Sequence, residues 1–155
     1  MNLPLELITG NLFSDKFYIC YFRDLRHKKE SPPHFHVLVP VSNATFLCLC
    51  IITTKFENLS EYYNREGEEK ALECLVYIDS SDFAFLTASR GCVINCNVAE
   101  IVDKDGLDRI IDKKYGFQIK ANHDDFSAEL KVKILNAIDE SPIVKGYVKK
   151  MIATR

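Results

Sequence analysis

A ten-residue run from Thr45 to Thr54 (TFLCLCIITT) constrains the fold of this sequence more than any other feature, because both of its alternating sets of side chains are apolar. The two sets consist of Phe46, Cys48, Cys50 and Ile52 and of Leu47, Leu49 and Ile51. Successive side chains of a strand point to opposite faces of a sheet, so a strand that is apolar on both faces must be covered on both. The run therefore predicts a central strand of a doubly covered sheet.

A second strand-like run comes just before this one and predicts a hairpin with it. Residues 34–39 (HFHVLV) are rich in aromatic and β-branched side chains, and Pro40 to Ala44 (PVSNA) is a suitable connection. Three more runs have strand-like patterns: residues 16–22, 72–78 and 92–98. The polar and acidic stretch over residues 55–70, between the third and fourth of these five runs in chain order, predicts a long loop with one helical turn at most.

The periodicity changes from strand-like to helical in the last third of the chain. Asp103 or Asp105 can cap a helix that carries apolar side chains at helical spacing, and a similar helix can begin at Ser127. Ser141 followed by Pro142 is a suitable N-cap and first residue for a last helix. Three helices are therefore expected after the strands.

Strands first and helices last are typical of an α+β protein. The length of 155 residues suits one domain with a single core. We therefore predict one domain over residues 1–155, in which residues 1–102 form the β part and residues 103–155 form a helical C-terminal part.

The composition is that of an ordinary folded protein, with 47% hydrophobic and 27% charged residues. The formal net charge is −2, so the field of the whole protein would not attract a polyanion, and any contact with nucleic acid would need a local basic patch. Glycine is scarce, with six residues, and no phosphate-cradling glycine motif is present. The sequence indicates no cofactor.

Six cysteines lie almost entirely in apolar, strand-like runs, which favours reduced thiols in the core. The first ten residues (MNLPLELITG) do not form a basic, apolar leader, and no apolar run approaches the roughly 18 residues of a membrane helix. We therefore expect a cytoplasmic protein with no membrane partner.

The paired runs HFHVLVPVSNATFLCLCIITT resemble the paired strands of the PemK/MazF-like small β-barrels, in which the second strand ends in a Thr-Thr or Thr-Ser pair. The later stretch ECLVYIDSSDFAFLTASRGCVINCNVAEIVD is similar to the part that follows in toxin-like members. The resemblance covers roughly residues 10–102 and implies a curved antiparallel β-barrel with the helices after it. It also implies a toxin-like protein that binds RNA, acts as an mRNA endonuclease of a toxin–antitoxin system and has a small antitoxin as partner.

The resemblance also implies where a cleavage site would lie. In the toxins an arginine on the first strand of the pair and a hydroxyl pair at the end of the second help to form the site. Thr53 and Thr54 match the hydroxyl pair, whereas His34 stands where the arginine would fall. Arg26 or Arg90, from neighbouring loops, would then have to supply the phosphate-binding cation.

Histidines in this stretch suit the chemistry of RNA cleavage, which needs a general base and a proton donor near neutral pH. His34 and His36 are two residues apart on a strand, so they share a face. We therefore predict them as the proton-transfer residues, with the threonine pair as contacts to the substrate. The alternative is that the histidines have no chemical role and only lie in solvent at the exposed start of a strand.

Two further alternatives remain open from the sequence. His34 and His36 could form a zinc site with Cys48 and Cys50 if all four shared one face, although zinc knuckles usually have other spacings. The chain could also be a non-enzymatic protein-interaction module, whose helices dock a partner or a second copy to give a homodimer. The mildly acidic charge and the missing strand arginine favour this last alternative.

Overall fold

The computed structural model describes residues 12–27, 31–43, 45–86 and 91–153. The strands are β1 (Tyr18–Phe22), β2 (His34–Pro40), β3 (Phe46–Thr53), β4 (Leu75–Ile78), β5 (Cys92–Asp103) and β6 (Phe117–Ala121). The helices are α1 (Phe56–Arg65), α2 (Glu69–Leu72), α3 (Lys104–Ile110), α4 (Ala128–Glu140) and α5 (Gly146–Ala153), with a short 3-10 helix at His123–Asp125.

The six strands form one antiparallel sheet in the order β4-β5-β3-β2-β1-β6. The α+β class is confirmed, and so are the hairpin of β2 with β3 and the central place of β3. Within the described residues β4 and β6 are each hydrogen-bonded on one side only, so the sheet has two edges and does not close. The predicted closed barrel is therefore not confirmed, because no hydrogen bonds join the two outer strands.

The two faces of the sheet carry different cores. One face, called the core face, presents Val37, Val39, Cys48 and Cys50 to the apolar sides of α4 and α5, and this cluster is the largest in the molecule. Burial of many aliphatic side chains at about 25 cal/mol per Å² is the main force that holds these helices on the sheet. All six cysteines are free and buried, as predicted.

The opposite face, called the histidine face, has two small apolar clusters instead of one. The first surrounds Phe22, Leu38 and Leu49 and includes the buried side of α3. The second joins Tyr63 of α1 to Val93 of β5. The β2–β3 register places His36 opposite Ile51, between these clusters. This gap in the apolar cover is where polar side chains gather.

The helix α1 replaces the loop predicted for residues 55–70. Its buried side is narrow, because only Phe56, Leu59 and Tyr63 turn toward the sheet, and the polar remainder concealed the helical period. The helix ends where Gly67 adopts a left-handed conformation, with its φ at 72°, and the Glu68 N–H donates to the Tyr63 carbonyl. The strand predicted at 72–78 is correspondingly shorter.

The C-terminal part contains a strand that the sequence did not predict. β6 pairs with β1 at the edge of the sheet, and three of its five residues are exposed. Its sequence is therefore less apolar than that of the central strand β3. The helix capped by Asp103 and the helix that begins after Ser127 are confirmed. Ser141 instead ends α4, and its hydroxyl accepts from Ile143 and Val144, so the last helix begins only at Gly146.

None of the described helices is both long and apolar enough to span a bilayer.

The longest strand, β5, changes register against β3. Leu49 pairs with Glu100 and Ile51 pairs with Asn95, so β5 has three more residues than β3 between these two pairs. Paired residues lie on the same face, so both Asn95 and Glu100 lie on the histidine face. The irregularity brings the Glu100 carboxylate to this face, where it contacts Arg26 in the loop after β1.

Candidate histidine site

The histidine cluster consists of His27, His34, His36, Asp24, Arg26, Lys55 and Glu100. These residues come from the loop after β1, the start of β2, the end of β3 and the middle of β5. The extended backbone before Pro32 and Pro33 brings the chain directly from the basic loop into β2. Residues of this loop and residues of other strands therefore lie together in the gap between the two apolar clusters of the histidine face.

His36 is a core residue. Its side chain is buried, and its ring stacks on Phe22 with centroids 4.0 Å apart and an interplanar angle of 14°. The Nδ1 atom lies 3.0 Å from the His34 carbonyl oxygen, which can only accept, so the proton is on Nδ1. Burial lowers the pKa of His36 to about 3. The ring is therefore neutral at physiological pH and holds the start of β2 in place.

His34 and His27 form the accessible histidine pair. Their rings meet edge to face with centroids 5.5 Å apart, and both residues are half-buried. Burial lowers the pKa of His34, and the neighbouring His27 and Lys55 lower it further. The Nδ1 atom of His34 is buried and has no hydrogen-bond partner among the described residues. A neutral His34 beside a second histidine is an arrangement that can accept a proton and return one.

Arg26 is held by two carboxylates. Its Nη2 atom lies 2.8 Å from Oδ2 of Asp24 and 2.6 Å from Oε1 of Glu100, and its Nη1 atom lies 3.0 Å from Oε2 of Glu100. Glu100 and Asp24 raise the pKa of the guanidinium. Burial alone would raise the pKa of Asp24, but its hydrogen bonds from Arg26 outweigh burial, and the pKa lies below the usual value. The charge of Arg26 is thus already balanced.

The neighbouring Arg23 anchors the loop to the rest of the protein. Its side chain is buried, its Nε atom donates to the Ser31 carbonyl, and its Nη1 atom lies 2.9 Å from Oδ2 of Asp112. Asp24 forms an isolated bridge with Ile111. These contacts fix both ends of the short turn that carries Arg26 and His27.

The two threonines occupy different environments. Thr53 is the last residue of β3, and its hydroxyl accepts from the Lys55 N–H at 3.1 Å. Extension of the β2–β3 register by two residues places Thr53 opposite His34, on the histidine face. Thr54 is exposed in the bend after the strand. Arg90, the other predicted phosphate contact, lies outside the described residues.

The zinc alternative does not fit the sheet. His36 pairs with Ile51, whereas Cys50 pairs with Val37, so the histidines and the cysteines lie on opposite faces. Cys48 and Cys50 belong to the apolar core-face cluster. In the part of the chain that the structure describes, no three His, Cys, Asp or Glu side chains are grouped to hold a metal ion.

Sequence reasoning missed four members of the cluster, namely His27, Asp24, Lys55 and Glu100. The signal for the first two was the motif RDLRHKK, in which an Asp two residues before an Arg is a common turn arrangement. Nothing in the sequence pattern signals Glu100, because its position depends on the register change in β5.

No family model and no curated protein sequence matches this chain. The likeness to the PemK/MazF-like barrels therefore depends only on the sequence patterns of the paired strands and of the later stretch given above.

Proposed function

We propose that the chain is a toxin-like RNA-binding protein, a divergent relative of the PemK/MazF-like barrels with an open sheet, which cleaves mRNA at the histidine cluster. The observation that supports this is the edge-to-face pair of His27 and His34, with Lys55 acting on His34 and with Arg26 bound to Asp24, the carboxylate that also lies beside His27. Two titratable rings and two cations at one place meet the requirements of phosphodiester cleavage better than any other group of described residues.

The proposed reaction is internal transfer to the 2′-hydroxyl of the RNA. Neutral His34 takes the proton of the 2′-hydroxyl, whose oxygen forms a bond to phosphorus. The bond from phosphorus to the 5′-oxygen breaks, and a protonated His27 gives its proton to that oxygen. The products are a 2′,3′-cyclic phosphate and a 5′-hydroxyl, and no other reactant is needed.

The remaining members of the cluster have supporting roles in this proposal. The carboxylate of Asp24 lies 4.0 Å from Nε2 of His27 and would orient that ring. His36 positions β2, and Thr53 contacts the substrate. A phosphate that binds Arg26 has to replace Glu100, which is exposed at the rim. Binding through Arg26 should therefore be weak and sensitive to salt.

The experiment that tests the proposal is cleavage of a long mRNA by purified protein, with analysis of the fragment ends. Wild type should produce 2′,3′-cyclic phosphate ends, and His27→Ala and His34→Ala should each lower the rate about 100-fold, as removal of a general acid or base does. His123→Gln is the matched control, because His123 lies elsewhere and the amide oxygen can still accept from the Phe17 N–H.

Wild-type protein that leaves RNA intact would exclude the nuclease. Equal activity of wild type and His34→Ala would also exclude it and would attribute any cleavage to a contaminant. Induced expression offers an independent check, because an active toxin should stop growth and His34→Ala should restore it. A small antitoxin encoded next to the gene is the expected partner.

The second candidate is a non-enzymatic protein-interaction module on the same scaffold. The observation that favours it is Arg26, whose guanidinium is already bound by Asp24 and Glu100 and has little capacity left for a phosphate. The net charge of −2 agrees with a protein partner better than with a polyanion.

A further inference from the structure

The outer strand β4 has backbone groups that point away from β5, which is its one partner strand in the sheet. The Cys96 N–H donates to the Cys74 carbonyl, and the β4–β5 register continues from this pair to Val76 with Ile94. Backbone groups of alternate residues point the same way in an antiparallel pair, so Val76 bonds to β5 while Leu75 and Tyr77 point outward. Within the described residues, the backbone groups of Leu75 and Tyr77 have no hydrogen-bond partner on the side of β4 that faces away from β5.

A groove of about 380 Å³ follows this edge. Its floor is apolar and includes Leu75, Val76 and Ala137, while one wall is the side of α4 that bears Lys133 and Asn136. Since α4 packs on the core face beside β4, the groove lies between this helix and the outer edge of the strand. An edge strand of this kind usually has a bulge, a proline or a lysine that blocks pairing, and β4 (LVYI) has none of these.

The surroundings of the groove are acidic. Glu73 and Glu140 line it, and neither carboxylate has an ion-pair partner in the described part of the chain. Lys133, by contrast, already lies 3.4 Å from Glu129. The adjoining residues 57–73 contain six glutamates, with Arg65 and Lys70 as the only basic residues, which leaves a net charge of −4. A partner with positive charge is therefore favoured.

We propose that β4 binds an extended, lysine- or arginine-bearing segment of a partner protein as a seventh strand of the sheet. Backbone hydrogen bonds to Leu75 and Tyr77 supply affinity, and the apolar floor and the two glutamates select alternating apolar and basic side chains. The proposal names the surface and partner class of the interaction-module candidate and does not depend on the histidine cluster. A second copy of the chain is disfavoured here, because it would bring two acidic grooves together.

Binding of a labelled peptide with alternating valine and lysine, measured by fluorescence anisotropy, tests the proposal. The control peptide has glutamate in place of each lysine and should bind at least tenfold more weakly. Charge reversal of the groove by Glu73→Lys with Glu140→Lys should invert this preference. A higher salt concentration should weaken binding of the lysine peptide, because salt screens the attraction between exposed charges.

Two substitutions at Tyr77 separate the backbone from the side chain. Tyr77→Pro removes a backbone N–H that points outward, and an edge strand tolerates this loss. The substitution should weaken binding of the lysine peptide about tenfold. Tyr77→Ala keeps the backbone N–H and should weaken binding of the lysine peptide less than threefold. Equal losses for both variants would overturn strand addition at β4.

Amide chemical shifts provide a readout that needs no variant. Addition of the lysine peptide to wild type should shift the Leu75 and Tyr77 amides and slow their exchange with solvent. Binding without those changes would place the peptide elsewhere and overturn the β4 site, while the interaction-module candidate would stand. Absence of binding by the lysine peptide, or a wild-type dimer that protects these amides, would also overturn it.

Discussion

Two polar clusters interrupt the apolar cover of the sheet, and they are built in opposite ways. In the first, called the asparagine network, Asn97 donates to the Ala71 carbonyl and to Asn95, and accepts from the Ser141 hydroxyl at 2.7 Å. Asn95 in turn donates to the Tyr63 hydroxyl at 3.1 Å. The histidine cluster is the second, and it contains charges, reaches solvent and leaves Nδ1 of His34 without a described partner.

This difference indicates a structural role for the asparagine network and a chemical role for the histidine cluster. A buried network whose members satisfy one another specifies one packing arrangement and has nothing left to offer a ligand. It joins β5 to α2 and to the end of α4. The histidine cluster keeps the rings of His27 and His34 half-buried, where a ligand can meet them. Stability should therefore depend mainly on the first cluster and chemistry mainly on the second.

The largest expected effect is the loss of the asparagine network. Asn97→Ala should lower the free energy of unfolding by about 3 kcal/mol, because it removes the donor to the buried Ala71 carbonyl and the acceptor of the buried Ser141 hydroxyl, while Asn95 keeps the Asn97 backbone N–H. Urea denaturation measures this change. Asn58→Ala on the exposed side of α1 is the control and should stay within about 0.5 kcal/mol of wild type. A loss below about 1 kcal/mol for Asn97→Ala would mean that the network is not structural.

The next effect is a dependence of stability on pH that comes from His36. Its folded pKa of about 3 lies below the unfolded value of about 6.5, so the unfolded state binds more protons between these pH values. Stability should be fully present above about pH 6.5 and fall by up to about 1.4 kcal/mol per pH unit as the pH decreases toward 3.

Urea denaturation at pH 6.5 and pH 5 measures this slope above the range in which most carboxylates titrate. His36→Phe, which can keep the stack on Phe22, should flatten the slope. His34 and His27 are present in both proteins, and their contributions cancel in the comparison. An unchanged slope in His36→Phe would show that the ring is not buried in its neutral form.

The smallest effect on stability is expected at His34. His34→Ala should change the free energy of unfolding by less than about 0.5 kcal/mol, because the ring is half-buried and its Nδ1 atom makes no described hydrogen bond. The same urea series measures it, with Asn97→Ala as the contrast. A loss comparable with that of Asn97→Ala would assign His34 to the structural side of the comparison.

The sequence predicted those parts of the molecule that local pattern determines. β3 was identifiable because it is apolar on both faces, and α4 because Ser127 caps a helical period that the structure confirms. α1 was missed because only a narrow stripe is buried, and the exposed edge strand β6 resembles a loop.

The candidate site was less accessible to this reasoning. His34 and His36 share a face of one strand, which follows from alternation alone. Their opposite environments do not follow from it, since His36 is covered by Phe22 from a neighbouring strand. The place of His27 depends on Arg23 and its ion pair with Asp112, which is 89 residues away in the sequence. Long-range contacts of this kind leave no local pattern.

The register change in β5 also decides which side chains of this strand reach each face of the sheet. The three additional residues are an odd number, so odd-numbered side chains share the histidine face up to Asn95 and even-numbered ones from Glu100 onward. If the two strands paired without this register change, Glu100 would lie opposite Phe46 and enter the apolar core, and Arg26 would lose a counter-charge. The irregularity itself, and not the side-chain pattern of β5, therefore brings Glu100 to Arg26.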